Sequence, residues 1–545
     1  MLYVLITFWF LRELKHLLFW LYLWQLKEYH IGRFLNHFET HVGKKLLLDF
    51  SRFLKLGLFV FLLLDDFFIY VYYALFLIYF AEFISFVSGI RNKSLKKPVW
   101  TKKTFFLFWL CFLVLILFLS RIYLLPNRPQ VLWILGFDIL TPLIFSSVAL
   151  FFQPASALLR NRVLRKAKEK MEKILPVSGL KVVAITGSYG KTSTKEFLTT
   201  ILSKKFKVLS TSEHQNSEIA VARSVLEKLK PSHEIFIAEV GAYNKGKIKE
   251  VCEMLKPRIG LVTGVNEQHL ALFGSFANLL SAEGGGELAE LLPKNGLLVV
   301  NGDNKYCLEL LKKSDNLPPE HEKIYSLDGR NMNTDIWAEE VEVRRDSVLF
   351  IVADKKGNLA HFNASVLGRQ NAQNLLGAIL IANELGMSFE EISEAVRSIK
   401  QEQAGMVLRQ GKHGLNIIDS SYSANPTGVM ADLDYLSIFA GKRVVVMPSL
   451  IELGKKSSEI HEKIGQKIAE VCDLAIITSK DKFKEIEKGF NQDILRRSQA
   501  NVAKCLLCDN PRDIFSAITA FCKSGDAVLL EGRVPKELLN LLIEK

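Results

Sequence analysis

The sequence predicts an α/β protein made of a P-loop-type parallel-sheet domain and a Rossmann-like C-terminal domain, preceded by an α-helical membrane domain. Three observations carry that prediction. The first 155 residues are dense in Phe, Leu, Trp and Tyr, whereas the remainder has an ordinary composition. From residue 180 onward, short apolar runs alternate with amphipathic stretches, the pattern of a parallel sheet with crossover helices. A second alternation of the same kind begins near residue 400, after a stretch at 336–366 that alternates like antiparallel strands, a β-rich appendage. The expected boundaries are 1–155 for the transmembrane region, 156–178 for a basic linker helix, 179–398 for a central nucleotide-binding domain and 399–545 for the C-terminal domain.

The membrane region comes first. Residues 2–26 are apolar but interrupted by Arg12, Glu13, Lys15 and His16, and no small-residue cleavage site follows. That predicts an imperfect span or an interfacial helix rather than a signal peptide. Residues 56–64 are too short to cross a bilayer and end at Asp65-Asp66. Residues 67–87, with Glu82 near the end, 104–125, with Arg121, and 131–152, with Asp138 and Pro142 inside, are long enough to cross. Three to five spans are expected. Asp65, Asp66 and Asp138 are functional suspects, because acidic residues inside spans are costly. Arg91, Lys93, Lys96, Lys97, Lys102 and Lys103 flank one side of the 104–152 hairpin, and Arg160, Arg162, Arg165, Lys166, Lys168 and Lys170 the other. The positive-inside bias puts both clusters, and everything after residue 155, in the cytosol of a multi-pass protein of the cell membrane. The net charge of +13 sits beside the apolar runs and points to membrane lipids rather than nucleic acid as partner. Seven Cys are scattered, and Cys505-x-x-Cys508 has no second pair, which argues for reduced buried thiols and against a zinc ribbon.

Strands of the central domain are expected at 181–186, 234–240, 259–265 and 296–303. The first runs into "TGSYGKTST" (186–194). Gly187 and Gly190 allow the backbone to turn N–H groups toward an anion, with Ser188 between them, and a helix beginning near Lys191 adds its positive end. Lys191 reaches the outer phosphates of ATP, and Thr192 offers a hydroxyl to Mg²⁺, with Ser193 beside it. Glu239 ends the next strand on the same sheet edge, where a carboxylate suits Mg²⁺. His269 follows the third strand, and Asn301 and Asp303 end the fourth. Strands of the C-terminal domain are expected at 415–421, 443–449, 473–479 and 526–532.

The segments "TGSYGKTST", "AEVGAYNKGKI", "TGVNEQHLALFGS", "LLVVNGDN", "LGRQNAQNLLGAILIANELG", "DSSYSANPTGV" and "VVVMPSLIELGKKSSEIHEKIGQKIA" follow one another in order. Together they resemble the Mur ligases, over roughly residues 178–545, and "SYSANP" and "IELG" are most similar to the D-alanyl-D-alanine-adding branch. The resemblance implies an ATP-dependent amide ligase of peptidoglycan-precursor synthesis. A carboxylate is phosphorylated to an acyl phosphate, and an amine displaces the phosphate. The implied partners are a muramoyl-peptide precursor and D-Ala-D-Ala or a similar amine. It further implies that Lys191 contacts the phosphates, Thr192 and Glu239 hold a first Mg²⁺ and His269 a second metal. Asn301 is implied to meet the adenine, Asp419 the ribose, and Tyr422, Asn425 and Pro426 to shape the acceptor site. Asn374 belongs to a motif whose role is left open.

Three positions depart from the family pattern. The metal-bridging Lys of its A-K-G-E motif falls on Gly285 in "SAEGGGELAE", Gly405 stands where Arg is expected, and Ser420 replaces the second Asp of Asp-Asp-Ser-Tyr. Gly284, Gly285 and Gly286 weaken the helix expected across 276–292, each by ~1 kcal/mol relative to Ala. A loosened helix lets Glu283 swing in as a substitute metal ligand. Two alternatives remain open at this point: another superfamily amide ligase of the polyglutamate-adding type, and a non-catalytic ATP-binding membrane scaffold for cell-wall assembly.

Overall fold

The computed structural model describes residues 2–47, 49–63, 68–212, 215–312, 317–327, 329, 333–497 and 503–543. The chain forms two compact units, Met1–Leu159 and Arg160–Lys545. Asp65 and Asp66 lie outside the described residues.

The first unit is helical. Its long helices are Leu2–Leu26, Phe68–Arg91, Lys102–Ile122 and Asn127–Phe151, with shorter ones at Ile31–His37, His41–Leu47 and Phe50–Leu62. Three stretches among the described residues are long and apolar enough to cross a membrane: Phe68–Arg91, Lys102–Ile122 and Pro129–Ser178. Thr101 caps the second of these, accepting from the Thr104 N–H at 3.2 Å while the Thr104 hydroxyl oxygen accepts from the Thr101 N–H at 2.6 Å.

Of the two readings of residues 2–26, imperfect span or interfacial helix, the helix packs as an inner member of the bundle rather than on its surface. Leu2–Leu26 is the central helix of this unit, packed on three of the other long helices, with Leu5, Trp9, Leu17, Trp20 and Trp24 buried. Its charges turn inward because their partners are there. Arg12 pairs with Glu13 and Asp138, and its Nε lies 3.1 Å from Glu82. Lys55 Nζ lies 2.7 Å from Glu82 and 2.9 Å from Asp138. The Tyr79 hydroxyl donates to Asp138 at 2.9 Å, and Thr141 donates to Glu13 at 2.7 Å. Charges this deep need such partners, since isolated ones cost several kcal/mol each.

In the second unit, the larger sheet contains β1 (Lys181–Thr186), β2 (Val208–Ser210), β3 (Ile235–Glu239), β4 (Ile259–Val262), β5 (Leu297–Asn301), β6 (Glu322–Ser326), β7 (Ile336–Val343), β8 (Val348–Asp354) and β9 (Leu359–Ala364). Their spatial order is β2-β3-β1-β4-β5-β6-β7-β8-β9. Pairing is parallel from β2 to β7 and antiparallel from β7 to β9. The predicted antiparallel strands at 336–366 therefore exist, but they extend the main sheet through the Tyr325–Ile336 pairing rather than forming an appendage. The smaller sheet contains β10 (Val407–Gln410), β11 (Asn416–Ser420), β12 (Arg443–Met447), β13 (Leu474–Ile477), β14 (Lys504–Leu507) and β15 (Ala527–Glu531), in the order β10-β11-β15-β12-β13-β14. Only the β10–β11 pairing in it is antiparallel.

Strand β1 is central, buried from Val182 to Thr186, and its C-terminal end opens on the edge where parallel sheets hold ligands. The expected helix across 276–292 is broken into Phe276–Ser281 and Gly286–Leu291, with Gly285 at φ +89° between them.

Candidate phosphate and acceptor site

The loop after β1 turns through Gly187 at φ +136° and Gly190 at φ +76°, a region that favours glycine. Gly190 caps the helix Lys191–Leu202, so the helix N-terminus faces the loop. A Cβ at Gly190 would run into the Asn374 side-chain amide, and one at Gly187 into Thr263. Asn374 sits on the helix Arg369–Glu384, which therefore closes over the phosphate loop. Lys191 Nζ donates to the Gly187 carbonyl at 2.5 Å, folded back over its own loop.

Glu239, at the end of β3, is 1% exposed. Its Oε1 accepts from the Thr192 hydroxyl at 3.0 Å and from Asn216 Nδ2 at 2.9 Å. Its Oε2 accepts no hydrogen bond and lies 3.8 Å from Lys195 Nζ. A buried carboxylate oxygen that accepts no hydrogen bond, beside a loop hydroxyl, suits a hard divalent cation such as Mg²⁺. Sequence reasoning missed Lys195. It is fully buried, and its Nζ also lies 2.7 Å from Glu196 and donates to the Thr211 carbonyl at 3.0 Å. Its four-residue spacing from Lys191, one helical turn, was the available signal.

Glu283 stands on the other side of the loop, 1% exposed. Its Oε2 accepts from the Ser188 hydroxyl at 3.1 Å, and its Oε1 lies 3.1 Å from His269 Nδ1. His269 Nε2 lies 3.7 Å from Glu452. Burial works to raise the Glu283 pKa, but His269, Lys191 and the two hydrogen bonds outweigh it, and the net shift is downward. Gly285, where the motif's Lys falls, does not face the loop in this backbone. A Cβ there would point into Val262 and Leu310, away from the loop, so Glu283 is the residue of this run that faces the site. Glu287 faces elsewhere, accepting from the Gly246 N–H at 2.6 Å and the Lys249 N–H at 2.8 Å at the start of the helix Lys247–Leu255. Among the described residues no group of three His, Cys, Asp or Glu side chains is arranged to hold a metal by itself.

The remaining predicted residues divide. Asn301 is fully buried, and its amide is used within the protein: Nδ2 donates to the Thr263 carbonyl at 2.8 Å, and Oδ1 accepts from the Asp303 N–H at 3.0 Å. Ser193 donates to the Ala404 carbonyl at 3.2 Å, tying the loop helix to the turn that ends at Gly405. Gly405 takes φ +80°, and a Cβ there would meet nothing within 4 Å. Asp419 accepts from the Ser421 hydroxyl at 2.6 Å and lies 3.3 Å from Arg409 Nε. Asn425 caps the helix Pro426–Leu436, with Pro426 as its first residue, and accepts from Asn266 Nδ2 at 3.0 Å. Asn266 belongs to the loop that carries His269, and Ala271 of that loop donates to the Glu452 carbonyl at 3.0 Å. The segments 422–427 and 450–453 thus meet the His269 loop. Tyr422 is 55% exposed there.

The matches to known proteins cover both sheets of the second unit. The Mur ligase middle domain matches residues 185–382, and the Mur ligase, glutamate ligase domain matches 406–534. The chain is 30% identical over 375 residues to the UDP-N-acetylmuramoyl-tripeptide--D-alanyl-D-alanine ligase of Borreliella burgdorferi, an alignment covering 67% of this chain and 74% of that protein. It is 29% identical over 286 residues to the ligase of the same name from Escherichia coli K12, covering 52% of this chain and 61% of that one. It spans similar shares, 59% and 63%, of the Synechocystis and Haemophilus influenzae ligases of that name. Among solved structures, MurF from Acinetobacter baumannii superposes with a TM-score of 0.60 at 24% identity, over 70% of this chain and 80% of that one. The MurF ligase of Thermotoga maritima in complex with ADP gives 0.59 at 24% identity, over 70% and 83%. At that identity the two structures establish the fold. Sequence and fold together place the chain in the Mur ligase family.

Proposed function

We propose that the protein is a membrane-anchored, ATP-dependent, ADP-forming ligase that joins D-Ala-D-Ala or a similar amine to a muramoyl-peptide carboxylate in peptidoglycan-precursor synthesis. The observation that supports this best is the convergence of the phosphate loop, the Thr192–Glu239 pair, the Ser188–Glu283–His269 cluster and the acceptor-side loops on one sheet edge. The curated relatives carry the activity in their names.

In this reading the loop N–H groups and Lys191 hold the transferred phosphoryl group, and Lys191 leaves the Gly187 carbonyl to do so. Thr192 and Oε2 of Glu239 would hold Mg²⁺, and His269 with Glu283 would hold a second cation. Mg²⁺ supplies charge neutralisation on the phosphoryl oxygens. Glu283 brings a permanent carboxylate to that second position. Asp419 orients the ribose, and Tyr422, Asn425 and Pro426 shape the acceptor side. The attacking amine forms the C–N bond as the bond to phosphate breaks, and the site's task is to align the two. The apolar helices of the first unit anchor the enzyme among membrane lipids, with the ligase domains in the cytosol.

The test uses the full-length chain in nanodiscs with ATP, Mg²⁺, UDP-muramoyl-tripeptide and D-Ala-D-Ala. The expected result is ADP and an amide-linked pentapeptide, both dependent on the amine. Lys191→Ala should weaken ATP binding roughly ten- to hundred-fold, since a hydrogen bond to a charged group is worth about 1.5–3 kcal/mol. Product formed only with glutamate as acceptor would move the reading to the polyglutamate-adding type. ATP binding with no ligation to any amine would overturn it.

A further inference from the structure

Lys195 is fully buried on the helix Lys191–Leu202, one turn beyond the loop lysine. A buried lysine needs its charge matched, and two carboxylates compete for this one. Its Nζ lies 2.7 Å from Glu196 Oε1 and 3.8 Å from Glu239 Oε2. The Thr211 carbonyl accepts from Nζ at 3.0 Å, and Thr211 Oγ1 accepts from the Glu239 N–H at 3.0 Å. Thr211 therefore holds the ammonium and the backbone of Glu239 at once. Glu239 Oε1 is taken by Thr192 and Asn216, whereas Oε2 accepts no hydrogen bond and meets Lys195 only as a charge. The Glu196 side chain is 24% exposed, so water eases its charge, and Glu239 has no such relief.

We propose that Lys195 is a positioning residue, a built-in counter-ion that balances Glu239 until a divalent cation binds Oε2 and that then passes wholly to Glu196. The inference rests on the ligase reading above, in which Glu239 holds Mg²⁺. Two carboxylates share one ammonium, so the trio carries one negative charge in excess. A divalent cation on Oε2 supplies the missing charge and repels Lys195, because both seek the same oxygen. Lys195 has somewhere to go. Its Nζ already stands closer to Glu196 than to Glu239, so the exchange is a short swing about the Thr211 carbonyl. No proton moves and no covalent bond changes.

The arrangement answers a problem that a buried metal-binding acid poses. Before a cation arrives, Glu239 would stand uncompensated at the end of β3, at a cost of several kcal/mol. A permanent, tightly bonded lysine would remove that cost but would also close the oxygen to the cation. A lysine shared with a second, partly solvated acid does the first without the second. Asn216 and Thr192 keep the carboxylate plane fixed through Oε1 while its other oxygen changes partner. The sign of the effect separates this role from packing. A lysine that only filled space behind Glu239 would support the cation site, whereas one that competes for Oε2 must weaken it.

The test compares wild type, Lys195→Met, Glu196→Gln and Glu239→Gln as full-length protein in phosphatidylcholine nanodiscs, without nucleotide because nucleotides themselves chelate the probe. Mn²⁺ binding is followed by the paramagnetic resonance of the free ion, and the Glu239 site is the part of the binding that Glu239→Gln loses. Melting temperatures are taken in EDTA and in Mn²⁺. The expected result is two shifts of opposite sign. Lys195→Met removes the competing charge and should tighten Mn²⁺ at this site about fivefold or more, whereas Glu196→Gln leaves Lys195 to Glu239 alone and should weaken it about fivefold or more. Lys195→Met should also melt below wild type in EDTA and recover in Mn²⁺. Unchanged or weaker binding in Lys195→Met, or unchanged or tighter binding in Glu196→Gln, overturns the inference and leaves the cation site standing. If Lys195→Met does not fold, Glu196→Gln decides alone. Equal Mn²⁺ binding by wild type and Glu239→Gln means that Glu239 holds no cation, and the metal assignment of the ligase reading then falls together with the inference.

Discussion

Glu283 and Gly285 are two residues apart, and in the proposed function only Glu283 stands where a second cation would be held. Counting along "SAEGGGELAE" puts the departure at Gly285, where φ is +89° and an added Cβ would run into Val262 and Leu310. Glu283 is the residue that reaches Ser188 and His269. Two opposite outcomes follow for two substitutions. Glu283→Gln keeps the shape and removes the charge, so the Mg²⁺ concentration needed for half-maximal ligation should rise about tenfold or more, with the melting temperature little changed. Gly285→Lys should not improve metal use at all. It places a side chain in left-handed backbone and against packed Val262, at a cost of about 1–3 kcal/mol seen as a lower melting temperature. A gain of activity in Gly285→Lys would show that the run adopts a different register.

At the scale of elements, the helix Arg369–Glu384 connects most of what matters. Gln370 reaches Asp432, Gln373 reaches Asp303 at 2.8 Å, and Asn374 lies against Gly190. These positions recur at helical spacing, which puts them on one face. The sequence shows the face in "GRQNAQN" but not what it touches. Gly190→Ala tests the contact with the phosphate loop. It should cost about 1–2 kcal/mol, from positive φ and collision with Asn374, and ATP affinity should fall with it. If Gly190→Ala paired with Asn374→Ala recovers no ATP affinity in calorimetry, the helix does not brace the loop. The short strands β2, β6, β10 and β14 were not legible in the sequence. They have three to five residues, and β14 and β10 are sheet-edge strands with exposed positions, too short for period-two alternation to stand out. The central strands were legible because burial on both faces demands uninterrupted apolar runs.

At the scale of the molecule, the first unit is held by its charges as well as by its apolar surface. Arg12, Lys55, Glu82 and Asp138 come from four helices and meet inside. Removing one member leaves the others uncompensated. Asp138→Leu should destabilise the unit by about 3–5 kcal/mol, seen as a large drop in the melting temperature of the protein in nanodiscs, whereas a substitution of exposed Leu143 by Ala should have little effect. An unaltered melting temperature for Asp138→Leu would mean that the cluster does not hold the helices. Topology is tested by placing a Cys near Asn127 and another near Lys168 in a background without reactive Cys. An impermeant reagent applied from outside should label only the first, and the reverse pattern would put the ligase domains away from cytosolic ATP.

The sequence alone determined the alternation of strands and helices, the phosphate loop with its Lys and Thr, the strand-end carboxylate Glu239 and three apolar stretches of bilayer length. Each is local: hydrophobic period, turn-forming glycines and residue order are properties of neighbouring positions. Only the tertiary structure decided the partners. It turned Arg12 and Glu13 inward to Asp138 and Thr141, brought Glu283 to Ser188, enclosed Asn301 and buried Lys195 behind Glu239. Those pairings join residues tens to more than a hundred positions apart. The free energy of a buried charge or hydrogen bond depends on what lies opposite it in space, and separation along the chain carries no record of that.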